Sequence, residues 1–152
     1  MGKGMDMFGD KVLAKTLTTL GERVQRRVMR QAVSAAATPI TKAARAKAPK
    51  ESGLLRKSMG KKVKTYPKTM TVVGIVGPKT SIIGEHKGRK RWPAKYARLI
   101  ERGHIARDGS FVPPQPFLGP AMAETQGTAL DTMKGKVAEG VIREATKGAA
   151  KT

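Results

Sequence analysis

The chain contains no cysteine, so disulfide bonds, thiolate metal sites and cysteine nucleophiles are all excluded. Aromatic residues make up only 4% of the 152 residues, which leaves Val, Ile, Leu, Met and Ala to build the core. No apolar run approaches the roughly 20 residues that a bilayer-spanning helix needs, and the N-terminus shows no signal-peptide apolar region. These absences favour one modest domain whose small core is supplemented by subunit contacts.

Acidic residues are also scarce: 11 Asp and Glu stand against 31 Lys and Arg, for a formal net charge of +20. The excess is unevenly placed. Residues 1–50 hold 11 Lys or Arg against 3 acids and residues 51–100 hold 13 against 2, whereas residues 101–152 hold 7 against 6. So large a charge indicates contact with a polyanion, with an acidic protein partner, or with both.

Helical periodicity marks both ends of the sequence. Near the N-terminus, one apolar stripe begins after the candidate N-cap Asp10 and is formed by Leu13, Leu17, Leu20, Val24 and Val28. Pro39, preceded by Thr38, predicts either a kink or a restart of this helix, which then continues to about residue 47. A second long helix is predicted over residues 120–147, although its three glycines weaken it.

The middle of the chain has strand and turn signals. Residues 63–76 predict a β-hairpin that turns at 66–68, after a short helical turn at 54–59. A basic loop (84–91), a short helix (93–102) ended by Gly103, and a loop (104–116) follow. We therefore expect an α+β fold: a long N-terminal helix, a small mainly antiparallel sheet, a short helix, and a C-terminal helix packed on the sheet. Residues 1–9 would be a flexible arm, 10–147 one domain, and 148–152 a frayed tail.

Residue types that could support catalysis are few and poorly spaced. Gly74 and Gly77 precede Lys79 and Thr80, as in a phosphate-binding loop, but only two residues separate these glycines where such a loop needs four. Pro78 also lacks the backbone N–H that would bind a phosphate. The remaining candidates for a metal or nuclease site are Glu85, His86, His104 and Asp108, which lack any ligand spacing. The sequence therefore predicts no enzyme, no metal site and no cofactor.

Two cationic segments are candidates for polyanion contact. One is the loop segment Lys87, Arg89, Lys90 and Arg91, which ends at the only tryptophan, Trp92. The other is a helical patch formed by Arg23, Arg26, Arg27 and Arg30. Each can be a solvated surface, or can contact DNA phosphates or the acids of a neighbouring subunit. We expect the loop to be mobile in the isolated subunit and ordered by its neighbours.

Three segments join a turn-forming Pro or Gly to an apolar run. Residues 48–59 read APKESGLLRKSM, residues 96–104 read YARLIERGH, and residues 114–121 read PQPFLGPA. In this order they resemble the neck or tail-completion proteins of long-tailed lambdoid phages, where "A-P-x-x-T/S-G-x-L-x-x-S", "Y-A-x-x-(V/I)-E-x-G" and "P-F-(L)-x-P-A" follow one another. Ser52 replaces the commoner Thr, and the basic insertion around residues 86–91 departs from the family pattern.

The resemblance implies a structural virion protein rather than an enzyme. It implies a homo-oligomeric ring, with a hexamer favoured, at the head–tail junction of a particle assembled in the host cytoplasm. An adaptor or head-closure ring would lie on one side and the tail terminator or tube proteins on the other. The expected structural or interface residues are Pro49, Gly53, Leu54, Tyr96, Glu101, Gly103, Pro116 and Phe117. The alternative, which explains the charge directly, is a stand-alone basic nucleic-acid-binding protein.

Overall fold

The computed structural model describes residues 21–149. Its first described helix, α1 (Glu22–Lys47), is rich in Ala, a strong helix former. The helix buries one face through Val28, Ala32, Ala37, Thr41 and Ala44. Val24 and Val28 of the predicted stripe lie on this helix, whereas Leu13, Leu17, Leu20 and the Asp10 cap lie outside the described residues. The basic residues Arg45 and Lys47 lie in its last turn, where their positive charges interact favourably with the negative end of the helix dipole.

Of the two outcomes predicted at Pro39, a kink or a restart of the helix at Thr38, the restart is wrong, because α1 continues through Pro39 without interruption. Thr38 does not cap a new helix; its hydroxyl donates to the Ser34 carbonyl oxygen one turn earlier. The ammonium group of Lys61 also donates to that carbonyl at 2.6 Å and to the Thr38 hydroxyl at 2.7 Å. The nitrogen of Pro39 cannot donate to the Ala35 carbonyl oxygen, and α1 nevertheless continues past this turn.

The chain then forms the main hairpin. After α2 (Leu54–Ser58), strands β1 (Met59–Tyr66) and β2 (Thr71–Pro78) pair antiparallel in a continuous register from Met59 opposite Pro78 to Tyr66 opposite Thr71. A 3-10 turn (Pro67–Thr69) joins them, which confirms the predicted hairpin and its turn. At Gly74 a Cβ would lie 2.9 Å from Cγ1 of Val33, so this glycine lets the hairpin lie close against α1.

Two segments that the sequence predicted as loops contain small hairpins. Strands β3 (Gly84–His86) and β4 (Arg89–Arg91) pair antiparallel. Their turn places Lys87 at φ 52° and Gly88 at φ 72°, the two positive values that a tight hairpin turn requires. Beyond the predicted helix α3 (Pro93–Arg102), strands β5 (His104–Ile105) and β6 (Phe111–Val112) form a second short hairpin. The loop predictions missed these hairpins because each strand is only two or three residues long.

The last helix, α4 (Leu118–Ala149), begins two residues before the predicted start. We expected it on the sheet, but its main packing partner is α1, which also supports the hairpin β1–β2. Gly140 explains the close approach: a Cβ there would lie 2.7 Å from Cγ1 of Val28. Two apolar clusters result. One contains Val28, Ala32, Val137 and Val141; the other contains Ala44, Ala48, Leu55, Met59, Ala97, Phe117 and Ala121.

The fold is thus α+β, with a long helix, small antiparallel sheets, a short helix and a C-terminal helix. Within residues 21–149, no helix combines the length and hydrophobicity that a membrane crossing requires.

Candidate functional site: the motif junction and the cationic surfaces

The second and third sequence motifs meet at the carboxylate of Glu101. Its Oε2 accepts hydrogen bonds from the backbone N–H of Phe117 at 2.8 Å and of Leu118 at 3.0 Å. Its Oε1 accepts a third from Gly119 at 2.9 Å. These are the N–H groups at the start of α4, which have no acceptor within their own helix. Glu101 therefore caps α4 from the end of α3.

Two opposing effects act on the pKa of Glu101. Partial burial raises it, whereas hydrogen bonds from the backbone of Leu118, Phe117 and Gly119, with the nearby charge of Arg102, lower it. The lowering effects outweigh the burial, so the pKa lies below its ordinary value and the carboxylate is ionised at neutral pH. The carboxylate is thus also a negative charge at the positive end of the α4 dipole.

Gly103 brings the two motifs this close together. It ends α3 at φ 72°, where a side chain is strained, and a Cβ would lie 2.8 Å from the Val112 carbonyl oxygen and 2.9 Å from the Pro114 nitrogen. The returning chain also donates a hydrogen bond from the Gln115 N–H to the Ile100 carbonyl oxygen at 2.8 Å. The chain leaves α3 and comes back against its end before α4 begins.

Phe117 anchors the same junction and is completely buried. It belongs to a cluster with Leu55 and Met59, against which the half-buried Tyr96 and Ile100 also pack. Pro116, immediately before Phe117, is exposed. The third motif therefore inserts one aromatic side chain between α2 and α3 while its backbone is held by Glu101.

The first motif enters the junction from the other side. Gly53 precedes α2 at φ 65°, and Pro49 lies half-buried after the end of α1. The side chain of Leu54 lies over Gly84, where a Cβ would come within 2.1 Å of Cδ2 of Leu54. Leu54 thus supports the β3–β4 hairpin.

The sequence singled out Glu101 without finding its capping role. A signal existed: residues 115–118 read QPFL and offer no Ser, Thr, Asp or Asn to cap the helix that follows. An acceptor had to come from elsewhere, and the second motif supplies one of the few acids in the chain.

The cationic residues of the basic hairpin are all exposed. Lys87, Arg89, Lys90 and Arg91 have no ion-pair partner within residues 21–149. Glu85 lies opposite Lys90 in the strand register. Beyond the hairpin, the ammonium group of Lys95 lies over the ring of Trp92, 4.9 Å from its centre, as a cation–π contact. This hairpin thus presents excess positive charge to any neighbouring anion.

The four arginines of the patch on α1 differ in their ion-pair partners. Arg26 pairs weakly with Glu22 at 3.8 Å, and Arg27 pairs with Glu144 of α4. Arg23 and Arg30 are exposed. Arg27 therefore fastens α1 to α4, and the helical patch offers less free charge than its sequence indicates.

Sequence reasoning missed a further cationic surface on the β1–β2 hairpin. Lys62 and Lys64, exposed on β1, line one groove with Lys79, which follows β2. The two-residue spacing of Lys62 and Lys64 in a predicted strand was the available signal. Together with the β3–β4 hairpin, this groove makes the sheet region the most cationic part of the described chain.

The candidate metal or nuclease residues do not assemble as a group. His86 and His104 line the same cavity, whereas Asp108 accepts hydrogen bonds from the Ser110 backbone N–H and hydroxyl in the β5–β6 turn. Within residues 21–149, no set of three His, Asp or Glu side chains is arranged to hold a metal ion.

At the junction the three motifs contribute packing and helix capping, which is the work of a structural module. The chain belongs to the phage family described as "Bacteriophage HK97-gp10, putative tail-component", whose model matches residues 11–103. The matched region contains the first motif and the second as far as Gly103, so the third motif lies beyond it. Among curated proteins and solved structures, none matches the chain. Membership in a family of structural tail components points away from an enzyme and towards the virion.

Proposed function

We propose that this tail component is a ring-forming protein of the phage neck, which joins the head to the tail or completes the tail. The observation that carries the proposal is membership in the phage tail-component family. The three-motif order adds support, because the resemblance based on it is to neck and tail-completion proteins. The ring, for which we favour six copies, would contact an adaptor or head-closure ring on one face and the tail terminator or tube on the other.

The charge distribution supports contacts of this kind. The four cations of the β3–β4 hairpin have no acidic partner within the described chain, and residues 51–100 carry 13 Lys or Arg against 2 acids. These exposed charges suit a neutralising surface from outside, either the acidic side chains of an adjoining ring or the phosphates of DNA in the bore. In this function the protein offers matching surfaces to the rings on either side and leaves a central passage for DNA. Its contact with that DNA is independent of the base sequence.

The decisive experiment is electron microscopy of particles produced without this protein. We expect filled heads and separate tails, and we expect that supplying the protein in trans restores tailed particles. Normal tailed particles in its absence would contradict the proposal. A complementary localisation with antibody-labelled virions should place the protein at the neck.

The second candidate is a stand-alone nucleic-acid-binding protein, favoured by the net charge of +20 and the exposed lysine groove. Sedimentation without DNA separates the two candidates. A discrete ring, or assembly that depends on a neck partner, supports the first. A monomer that binds duplex DNA with strong salt dependence, and is missing from virions, supports the second.

A further inference from the structure

The β5–β6 hairpin carries an apolar pair where a solvated surface would carry polar side chains. Ile105 and Phe111 lie directly opposite one another in the register and are 73% and 67% exposed. Opposite residues in an antiparallel pair share one face, so the two side chains form a single apolar spot. Their strand neighbours His104 and Val112 form the other pair and are half-buried against the body of the protein.

The turn of this hairpin is held in a defined shape. The Ala106 N–H donates to the Ser110 carbonyl oxygen at 2.8 Å, and Gly109 adopts φ 83°. Asp108 accepts from the Ser110 hydroxyl and backbone N–H, and these bonds lower the pKa of its carboxyl. The apolar pair therefore stands beside an ionised Asp108 and the neighbouring Arg107, on a projection that is ordered before it meets a partner.

A cavity of about 320 Å³ provides a complementary surface on the same chain. Its apolar lining includes Leu55 and Leu99, and Leu99 is 45% exposed at the rim. Its polar lining includes Glu51 and Arg91, which present one charge of each sign. The projection likewise carries one charge of each sign, so Arg107 can face Glu51 while Asp108 faces Arg91.

Two polar atoms at this cavity have no partner within the described chain. They are Nε2 of His86 and Nδ1 of His104, both buried and without a hydrogen bond. Neither atom has accessible surface, so both lie behind the cavity wall, and the surface open to a docked chain is the exposed part of the lining.

We propose that the β5–β6 hairpin of one copy docks into this cavity on the next copy, with Ile105 and Phe111 against Leu99 and the charges of Arg107 and Asp108 matched by Glu51 and Arg91. The contact joins two different surfaces of identical chains, and repetition of such a contact closes a ring when the rotation permits. This inference rests on the proposed ring function and names the interface that would build it.

The absence of native cysteine permits a direct test by cross-linking. One sample mixes the Ile105→Cys variant with the Leu99→Cys variant. The matched control mixes Ile105→Cys with Leu130→Cys, because Leu130 is a helical leucine of similar exposure, 47%, on α4. After mild oxidation or treatment with a short bismaleimide, we expect heterodimers in the first mixture and only background in the second. Equal yields in the two mixtures would overturn the inference.

Complementation supplies a second test. The double variant Ile105→Ser, Phe111→Ser removes the projection, and Leu99→Gln damages the cavity. Each should weaken self-association about 30-fold or more, as expected for loss of an interface hot spot. Mixed together, they retain one intact contact and should form a heterodimer that does not grow further. Leu130→Gln is the matched control and should associate like the native chain. Unchanged association of the projection variant would overturn the inference.

The outcomes also separate this inference from the proposed function. If tailed particles depend on the protein but the projection and cavity variants assemble normally, the neck function stands and this interface is wrong. If the variants lose self-association while particles form normally without the protein, the interface stands and the neck function is wrong.

Discussion

The two ends of the α1–α4 pair are held together by different kinds of interaction. At the motif end, Phe117 and Met59 are buried, and three backbone N–H groups donate to Glu101. At the other end, a buried cluster that includes Val28 and Val141 packs around Gly140, beside the pair Arg27–Glu144 and a hydrogen bond from Arg143 to Gln31. Both ends bury apolar side chains and carry an ion pair that salt can screen, which at the motif end is Lys47–Glu124. They differ in that the first end adds a buried aromatic side chain and a helix cap, whereas the second adds the close approach of two helices at Gly140.

The largest expected effect is at Phe117. Phe117→Ala should destabilise the fold by about 3–5 kcal/mol, because it empties a completely buried site at the motif end. Chemical denaturation of the purified protein measures the change. The same substitution at the exposed Phe111 is the control and should alter monomer stability by no more than about 0.5 kcal/mol. Equal losses for the two variants would contradict the assignment of Phe117 as the anchor.

Glu101→Gln should cost about 2 kcal/mol, because the amide offers one acceptor oxygen where the carboxylate offers two and a charge. The pH dependence gives a specific signature. Since the folded-state pKa lies below the ordinary 4.5, the contribution of Glu101 is complete above that pH and is lost as the pH falls through the folded value. The difference in unfolding free energy between native protein and variant should therefore be constant above pH 4.5 and should narrow as the pH falls below it. A difference that stays constant below pH 4.5 as well would show that the capping charge does not act as described.

Substitutions of glycine sharpen the comparison at the other end. Gly140→Ala should destabilise by about 1–3 kcal/mol, because the new Cβ would lie 2.7 Å from Cγ1 of Val28. Gly127→Ala on the same helix has no atom within 4 Å of the added Cβ and should stabilise by up to about 1 kcal/mol through helix propensity. Melting temperatures of the two variants should move in opposite directions. If both rise, the two helices are less tightly packed at Gly140 than the structure indicates.

The smallest effect on stability is expected at the basic hairpin. Replacing Lys87, Arg89, Lys90 and Arg91 with Ser should change the unfolding free energy by no more than about 0.5 kcal/mol for each exposed position. The same variant should reduce the yield of DNA-filled, tailed particles in a complementation assay. A normal yield would leave the hairpin as a solubility feature, and a large loss of stability would make it part of the core. The predicted mobility of this hairpin in the free subunit stays a prediction, for which hydrogen exchange is the measurement.

Local signals in the sequence account for much of the fold. Pro93 and Gly103 define the bounds of α3, and Pro67 marks the hairpin turn, because these residues restrict or extend the backbone angles at their own positions. The continuity of α1 through Pro39 could not be foreseen, because a proline locally favours an interruption, whereas the packing of α1 against α4 and the β1–β2 hairpin involves residues distant in sequence. The packing of α4 on α1 was also hidden, because it depends on the absence of a side chain at Gly140 opposite Val28.

The candidate site divides in the same way. The motif residues were visible in the sequence, but the hydrogen bonds that unite the second and third motifs join positions 16 to 18 residues apart. Likewise, His86 and His104 come to one cavity from separate hairpins. The hydrogen bonds of Glu101 depend on the return of the chain at Gly103. No periodicity in the sequence predicts either pairing.

The cap at Glu101 also has a consequence for the order of folding. Isolated helices nucleate with difficulty, and α4 carries five glycines and no capping side chain just before its start. Its first turn gains acceptors only when the loop that follows α3 has closed and Phe117 has found its site. We therefore expect α4 to form late, after α3 and the hairpin β1–β2. A fragment that begins after Gly103 should lack stable helical structure in water, because it has lost the carboxylate on which its helix begins.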